Sequence, residues 1–261
     1  MTPLQDFLIF LAGIAAGAIN TVVGSGTLVT FPALIAFGVP PVTATMSNAV
    51  GLIPGNITGA WGYRRELEGQ GRRLRMQIPA SVLGSLVGAW LLLHLPSDAF
   101  ESIVPVLLAL AIVLVIVQPA VQRRVRRRLE AQGGDLTADP TGGRLVLLIV
   151  FTFLTGIYGG YFAAAQGVLL IGLMGLLVHD SIQRLNGAKN VLVLLVNLVS
   201  ATTYVLVAAD RIDWVAVGLI AAGSLIGGFI GAGVGRRLPP RVLRGVIVVL
   251  GIYAMWRILT T

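Results

Sequence analysis

The sequence has 261 residues, with no cysteine, two histidines and only 11% charged residues. Without cysteine there is no disulfide, no thiolate metal site and no cysteine nucleophile. The charged share is under half the roughly 25% of an ordinary globular domain, too little to coat a soluble protein of this size. No acid pair falls within an apolar segment, and neither a His-x-x-x-His pattern nor a phosphate-cradling loop is present. These absences predict a chain that is not an enzyme and that needs no metal and no cofactor.

What is present is apolar. Hydrophobic residues make up 56% of the chain, and the mean hydropathy is +0.89. A helix crosses the hydrocarbon core, about 30 Å thick, with about 20 apolar residues. Ala44–Tyr63, Gln77–Leu95, Phe100–Gln118, Ala188–Ala209, Trp214–Gly235 and Val242–Leu259 meet that requirement. Leu4–Gly38 and Leu145–Val178 are too long for one helix and too short for two full crossings with a turn. Each is interrupted near its middle, by Gly24-Ser25-Gly26 and by Gln166-Gly167. Each therefore reads as a hairpin of two shortened helices.

The net charge of +8 is mainly a topology signal. Fifteen of the eighteen arginines lie in Arg64–Arg75, Arg123–Arg144 and Arg236–Arg244, which the positive-inside rule places in the cytoplasm. The turns Pro96–Glu101 and Asp210–Asp213 carry mostly acids and are expected outside. Met1–Asp6 has no basic residue, which fits an external start and lacks the charged n-region of a signal peptide. Both termini are then outside the cytoplasm, with eight to ten membrane segments in the cell membrane. The bilayer is the expected partner. The Arg123–Arg128 run could also bind anionic lipid, but no nucleic-acid partner is expected.

The chain also repeats itself. Gly13 to Gly17 matches Gly156 to Gly160 at an offset of 143, and Gly24 matches Gly167 at the same offset. Asn48 matches Asn190, Gly84 to Gly88 matches Gly223 to Gly227, and Leu95-Pro96 matches Leu238-Pro239. The expected fold is an all-α polytopic membrane protein of two repeats, 1–118 and 145–261, joined by a basic cytoplasmic linker at 119–144. Each repeat is a broken-helix hairpin followed by three transmembrane helices. The arginines orient the two hairpins oppositely, so the repeats are inverted, as in many secondary transporters with a site near the midplane.

Polar residues at membrane depth are costly and mark candidate sites. One cluster is Asn20, Gly24, Ser25 and Gly26, where a break would present a helix N-terminus to an anion. The same glycines would also serve close helix packing. A second cluster is Tyr158, Tyr161, Gln166 and Gly167, the tyrosines being equally suited to an interfacial belt. A third is Asn48 with Lys189 and Asn190, extended by Asn197 seven residues further along the same helix face. Lys189 is the only lysine in the chain. It reads either as a cation for an anionic substrate or as a helix-end lysine snorkelling to headgroups. His179 and Asp180 are weaker candidates for proton coupling and fit a helix-end pair as well.

The sequence around Ala12-Gly13, Ile19-Asn20, Gly24-Ser25-Gly26, Phe31 to Leu34, Gly38 and Asn48 resembles the first repeat of the sulfite exporter TauE/SafE family. Thr155 to Phe162, Gly167 and Leu185 to Asn190 are similar to its second repeat. The resemblance covers nearly the whole chain except Arg123–Thr141. It implies a small polytopic transporter, of the group also called toluene-sulfonate uptake permeases, moving sulfite, sulfoacetate or other organosulfonates, often outward. Two departures leave the substrate open: the first break is Gly24-Ser25-Gly26-Thr27, and the second, Ala163 to Gly167, has fewer glycines. An anion channel and a transporter of a small carboxylate use similar residues and stay open as alternatives. A homodimer is compatible with all of these readings.

The cysteine-free background makes the topology directly measurable. Single substitutions Asp98→Cys and Asp210→Cys should react with a membrane-impermeant maleimide on intact cells. Arg65→Cys and Arg127→Cys should react only after permeabilisation, and the opposite pattern overturns the orientation.

Overall fold

The computed structural model describes residues 2–132, 140–233 and 240–260, and their regular structure is entirely helical. In chain order the α-helices are α1 (Pro3–Val22), α2 (Thr27–Ala36), α3 (Pro41–Gly51), α4 (Ile53–Gly62), α5 (Gly71–His94) and α6 (Ser97–Gln132). They continue with α7 (Gly142–Tyr161), α8 (Gln166–Leu177), α9 (Ile182–Ala208), α10 (Trp214–Gly233) and α11 (Pro240–Thr260). Local chemistry sets several of the starts. Thr2 and Gln5 form a reciprocal capping box ahead of Pro3. Ser181 accepts from Arg184 N at the start of α9, and Asp213 Oδ1 accepts from Val215 N and Ala216 N at the start of α10.

Six described helices, α1, α5, α6, α7, α9 and α10, are long and apolar enough to cross a membrane. With the shorter apolar helices they make a polytopic membrane protein. The expected segment Val242–Leu259 falls within α11. The matched pair Leu238-Pro239, Arg236 and the linker residues 133–139 lie outside the described residues.

Two expected segments differ in detail. In both hairpins only the second arm is short: α1 and α7 have 20 residues each, whereas α2 has 10 and α8 has 12. No breaker interrupts Pro3–Val22, so α1 runs its full length before the Gly24 turn. The expected helix Ala44–Tyr63 is interrupted at Leu52, giving α3 and α4. Pro54 has no N–H to return to Val50, and the Ser224 hydroxyl from α10 enters the ladder. It donates to Gly51 O (2.9 Å) and accepts from Gly55 N (3.2 Å), replacing the turn bond that would have joined them. Its repeat counterpart, Ser85, donates to Val196 O (3.0 Å) in the uninterrupted α9.

The most extensive helix pairs are α1 with α10 and α5 with α7. Both are built on the glycines matched between the halves. A Cβ on Gly17 would lie 2.3 Å from Ser224 O, and one on Gly227 would lie 2.0 Å from Ile14 O. In the other pair, a Cβ on Gly88 would lie 2.1 Å from Ile157 O and one on Gly160 would lie 2.3 Å from Ser85 O. Backbones meet directly at these places, as small residues allow in membrane bundles. The first helix of each half thus packs on the second segment after the hairpin in the other half.

Gly88→Ala and Gly227→Ala should each lower the thermal midpoint in detergent, with an overpacking cost of about 1–3 kcal/mol. Gly218→Ala, whose Cβ would meet nothing within 4 Å, should leave it unchanged or raise it slightly. Equal behaviour of the three variants would remove the packing role.

Candidate functional site

The two hairpins meet at their breaks. Gly24, between α1 and α2, has φ +87, a backbone conformation that favours glycine. Gly167 is the second residue of α8, and its N–H donates to Gly24 O at 3.0 Å. A Cβ on Gly24 would lie 2.6 Å from Gly167 Cα, and one on Gly167 would lie 2.5 Å from Gly24 Cα. The two residues matched by the repeat are therefore in backbone contact. Lys189 of α9 runs its aliphatic stem against both, with Cδ 3.1 Å and 2.8 Å from those same Cβ positions.

The ammonium emerges at the C-terminal end of α1. Lys189 Nζ donates to Asn20 O (2.9 Å) and Thr21 O (3.2 Å), which are carbonyls of the last turn. Asn186 Nδ2 and Asn190 Nδ2 also donate to Thr21 O, at 3.3 and 3.4 Å, and Asn190 Nδ2 reaches Gly59 O at 3.4 Å. Asn186, Lys189 and Asn190 lie on one face of α9 by their spacing. A cation on a helix C-terminus is favoured by the dipole. Lys189 is fully buried, and among the described residues the ion pairs formed by Asp180 leave it without a carboxylate partner. Its own position is inside α9, and its side chain is enclosed by protein instead of reaching the surface.

The remaining candidates divide into braced and free groups. Asn20 donates through Nδ2 to Asn56 Oδ1 and accepts from Gly26 N at 3.2 Å, tying the start of α2 to α1 and α4. Asn48 accepts from Thr30 Oγ1 and donates to Thr27 Oγ1 (3.1 Å), fixing α3 to α2. The Tyr158 hydroxyl donates to Ala164 O and so braces the second break. Ala163 and Ala165 occupy that break with φ of 63 and 59, where a Cβ is strained. By contrast, Ser25 Oγ, both amide atoms of Gln166, Asn197 Oδ1 and the Tyr161 hydroxyl are buried without a hydrogen-bond partner among the described residues. The Tyr161 ring packs edge-on against Phe100. Free buried polar atoms are expensive, and Ser25 and Gln166 lie immediately beside the two glycines in contact.

Several members were not singled out by sequence. Asn56 and Asn186 hold the first break, and Gln118 Nε2 of α6 donates to Val23 O (3.2 Å) with its Oε1 unpartnered. Each is a polar residue within an apolar helix, which was the available signal. Arg73 gave a misleading one, since it counted among loop arginines. It lies in α5, almost fully buried, and pairs with Asp180 at 2.9 Å. Asp180 also meets Arg184 at 2.8 Å and Ser181 N at 2.8 Å. This ion cluster joins the start of α5 to the connection between α8 and α9. His179 lies at a separate 620 Å³ cavity with Pro140, Thr141 and Arg144.

A profile of the sulfite exporter TauE/SafE family matches residues 9–258. The chain belongs to that family. The "Probable membrane transporter protein YfcA" of Escherichia coli strain K12 is 24% identical over 254 residues, covering 96% of this chain and 88% of the relative. The "Probable membrane transporter protein" of Haemophilus influenzae is 23% identical over 244 residues, covering 93% and 90%. The "Probable membrane transporter protein YdhB" of Bacillus subtilis is 23% identical over 245 residues, covering 92% and 93%. No solved structure matches the chain significantly. These relatives of this multi-pass TauE/SafE chain are all named as probable membrane transporters.

Within this TauE/SafE chain the Asp180 cluster gives a separable prediction. Asp180→Leu should destabilise by about 3–5 kcal/mol, because it leaves Arg73 buried without its counter-charge. Adding Arg73→Met should recover much of that loss in a thermal melt. A double variant no more stable than Asp180→Leu alone would mean that the pair is not coupled.

Proposed function

We propose that this chain is a secondary transporter of small sulfur-containing anions, sulfite or an organosulfonate, exporting them across the cytoplasmic membrane by alternating access. One observation carries the reading: the two hairpin breaks converge on Gly24 and Gly167 beside a buried cation that forms no ion pair with a carboxylate among the described residues. An oxyanion brings charge to such a place, and α2 and α8 both start there with the positive ends of their dipoles. Ser25 and Gln166 add unpartnered donors next to them. Membership of the family supports sulfur oxyanions over a small carboxylate. The binding set is then Ser25, Gly26, Gln166 and Gly167, with Lys189, Asn190 and Asn197 from α9. Asn20, Asn48 and Tyr158 brace it, and Tyr161 adds a further unpartnered hydroxyl.

The repeats are inverted in this reading, with both termini outside. The exchange of matched glycines between α1–α10 and α5–α7 fits a two-fold relation between the halves, and the arginine distribution is the argument for an axis in the membrane plane. Ser25, Gln166 and Lys189 are buried, so substrate enters only when one half moves against the other. A continuous channel has no such requirement.

Proteoliposomes loaded with labelled sulfite or a small organosulfonate test this. The expected flux is saturable, competed by related sulfonates and reduced at least tenfold by Lys189→Ala and by Gln166→Leu. Unchanged flux in both variants removes the site. Non-saturable conductance would favour a channel, and preference for carboxylates would replace the substrate class.

A further inference from the structure

Secondary transporters that carry anions commonly bind a metal cation where a broken helix presents the carbonyls of its C-terminal end. In this chain the equivalent place is the end of α1, and it is filled. Lys189 Nζ sits 2.9 Å from Asn20 O and 3.2 Å from Thr21 O, with no carboxylate in an ion pair with it among the described residues. Asn186 and Asn190 place their amides on the same Thr21 carbonyl, and Asn186 Oδ1 has no partner. The result is a set of oxygens at the negative end of a helix dipole, grouped around one positive charge.

The geometry assigns Lys189 the place of a coupling cation. Its ammonium is a built-in monovalent ion at a carbonyl site that would otherwise select a small cation such as sodium. Three features support a fixed role. The side chain reaches the site only along the Gly24–Gly167 contact, since a Cβ on either glycine would crowd its Cδ at 3.1 and 2.8 Å. It is fully buried among neighbours that are braced to one another. It also joins a helix of the second half to the end of the first helix of the first half, the connection that a bound ion would otherwise make.

The consequence is that anion movement does not require sodium, because the positive charge needed beside the anion is covalently held. Removing the amine should open the oxygen set to a free cation. The proposal rests on the anion-transporter reading for its place in transport, but the cation site can be measured without any substrate.

Thermal melts of the full-length protein in detergent, in sodium, potassium, methylammonium or choline chloride at equal ionic strength, provide that test. The unaltered protein should melt at the same temperature in all four. Lys189→Ala should melt lower in choline and recover by several degrees in sodium or methylammonium. A Lys189→Ala midpoint equal in all four salts overturns the proposal, as does a sodium-specific rise in the unaltered protein. If Lys189→Ala does not fold, the smaller change Lys189→Met is read in the same way. Flux in the unaltered protein supplies an independent arm. Equal rates in sodium and choline support the assignment, and a sodium requirement defeats it. Absence of all anion flux would count against the transporter reading while leaving the melts decisive for the cation site.

Discussion

Contact between two backbones, at Gly24 and Gly167, is the constraint from which the central arrangement follows. A hydrogen bond between these residues holds the breaks of the two hairpins together, and neither position has room for a Cβ. Because the backbones touch, the stem of Lys189 passes alongside both and its charge arrives at the end of α1. Because α1 ends there, Asn186 and Asn190 can gather on the same carbonyl. The donors of Ser25 and Gln166 are left beside the contact without partners. A set of buried, free polar groups around a buried cation is costly for a structure and useful for binding an anion.

The surrounding helices keep that arrangement in place by the same means on a larger scale. Glycines let α1 lie on α10 and α5 lie on α7 with almost no side chain between them. Ser224 then exploits this proximity by entering the ladder of the α3–α4 segment, while Ser85 only touches the carbonyl of Val196 in α9. The two halves therefore differ at matched places, with a helix interrupted at Leu52 in one and the continuous α9 in the other.

Much of this was readable in the residues. Length and hydropathy located α5, α6, α9 and α10 and the two hairpins, though not the full length of α1 and α7, and the matched glycines marked a repeat without naming the helices that pack on them. The solitary lysine beside a matched asparagine pointed to the place where the hairpins meet. Other features depend on a partner that spacing does not reveal. Nothing around Leu52 names the hydroxyl that interrupts that helix, since Ser224 is far away in the chain. Arg73 was indistinguishable from its loop neighbours until Asp180 was found against it. Ala163 and Ala165 adopt left-handed conformations that alanine does not advertise. The acceptors of Lys189 are backbone carbonyls, which every residue has, so its engagement with the end of α1 had no signature of its own.

The central claim is that an oxyanion is held where the hairpins cross. Anomalous scattering from crystals soaked in selenite, the selenium counterpart of sulfite, locates such an ion without relying on transport. The account predicts a peak between Ser25, Gln166 and Lys189. A protein that binds selenite only at its arginine-rich surface, with the crossing vacant at saturating concentration, would contradict it.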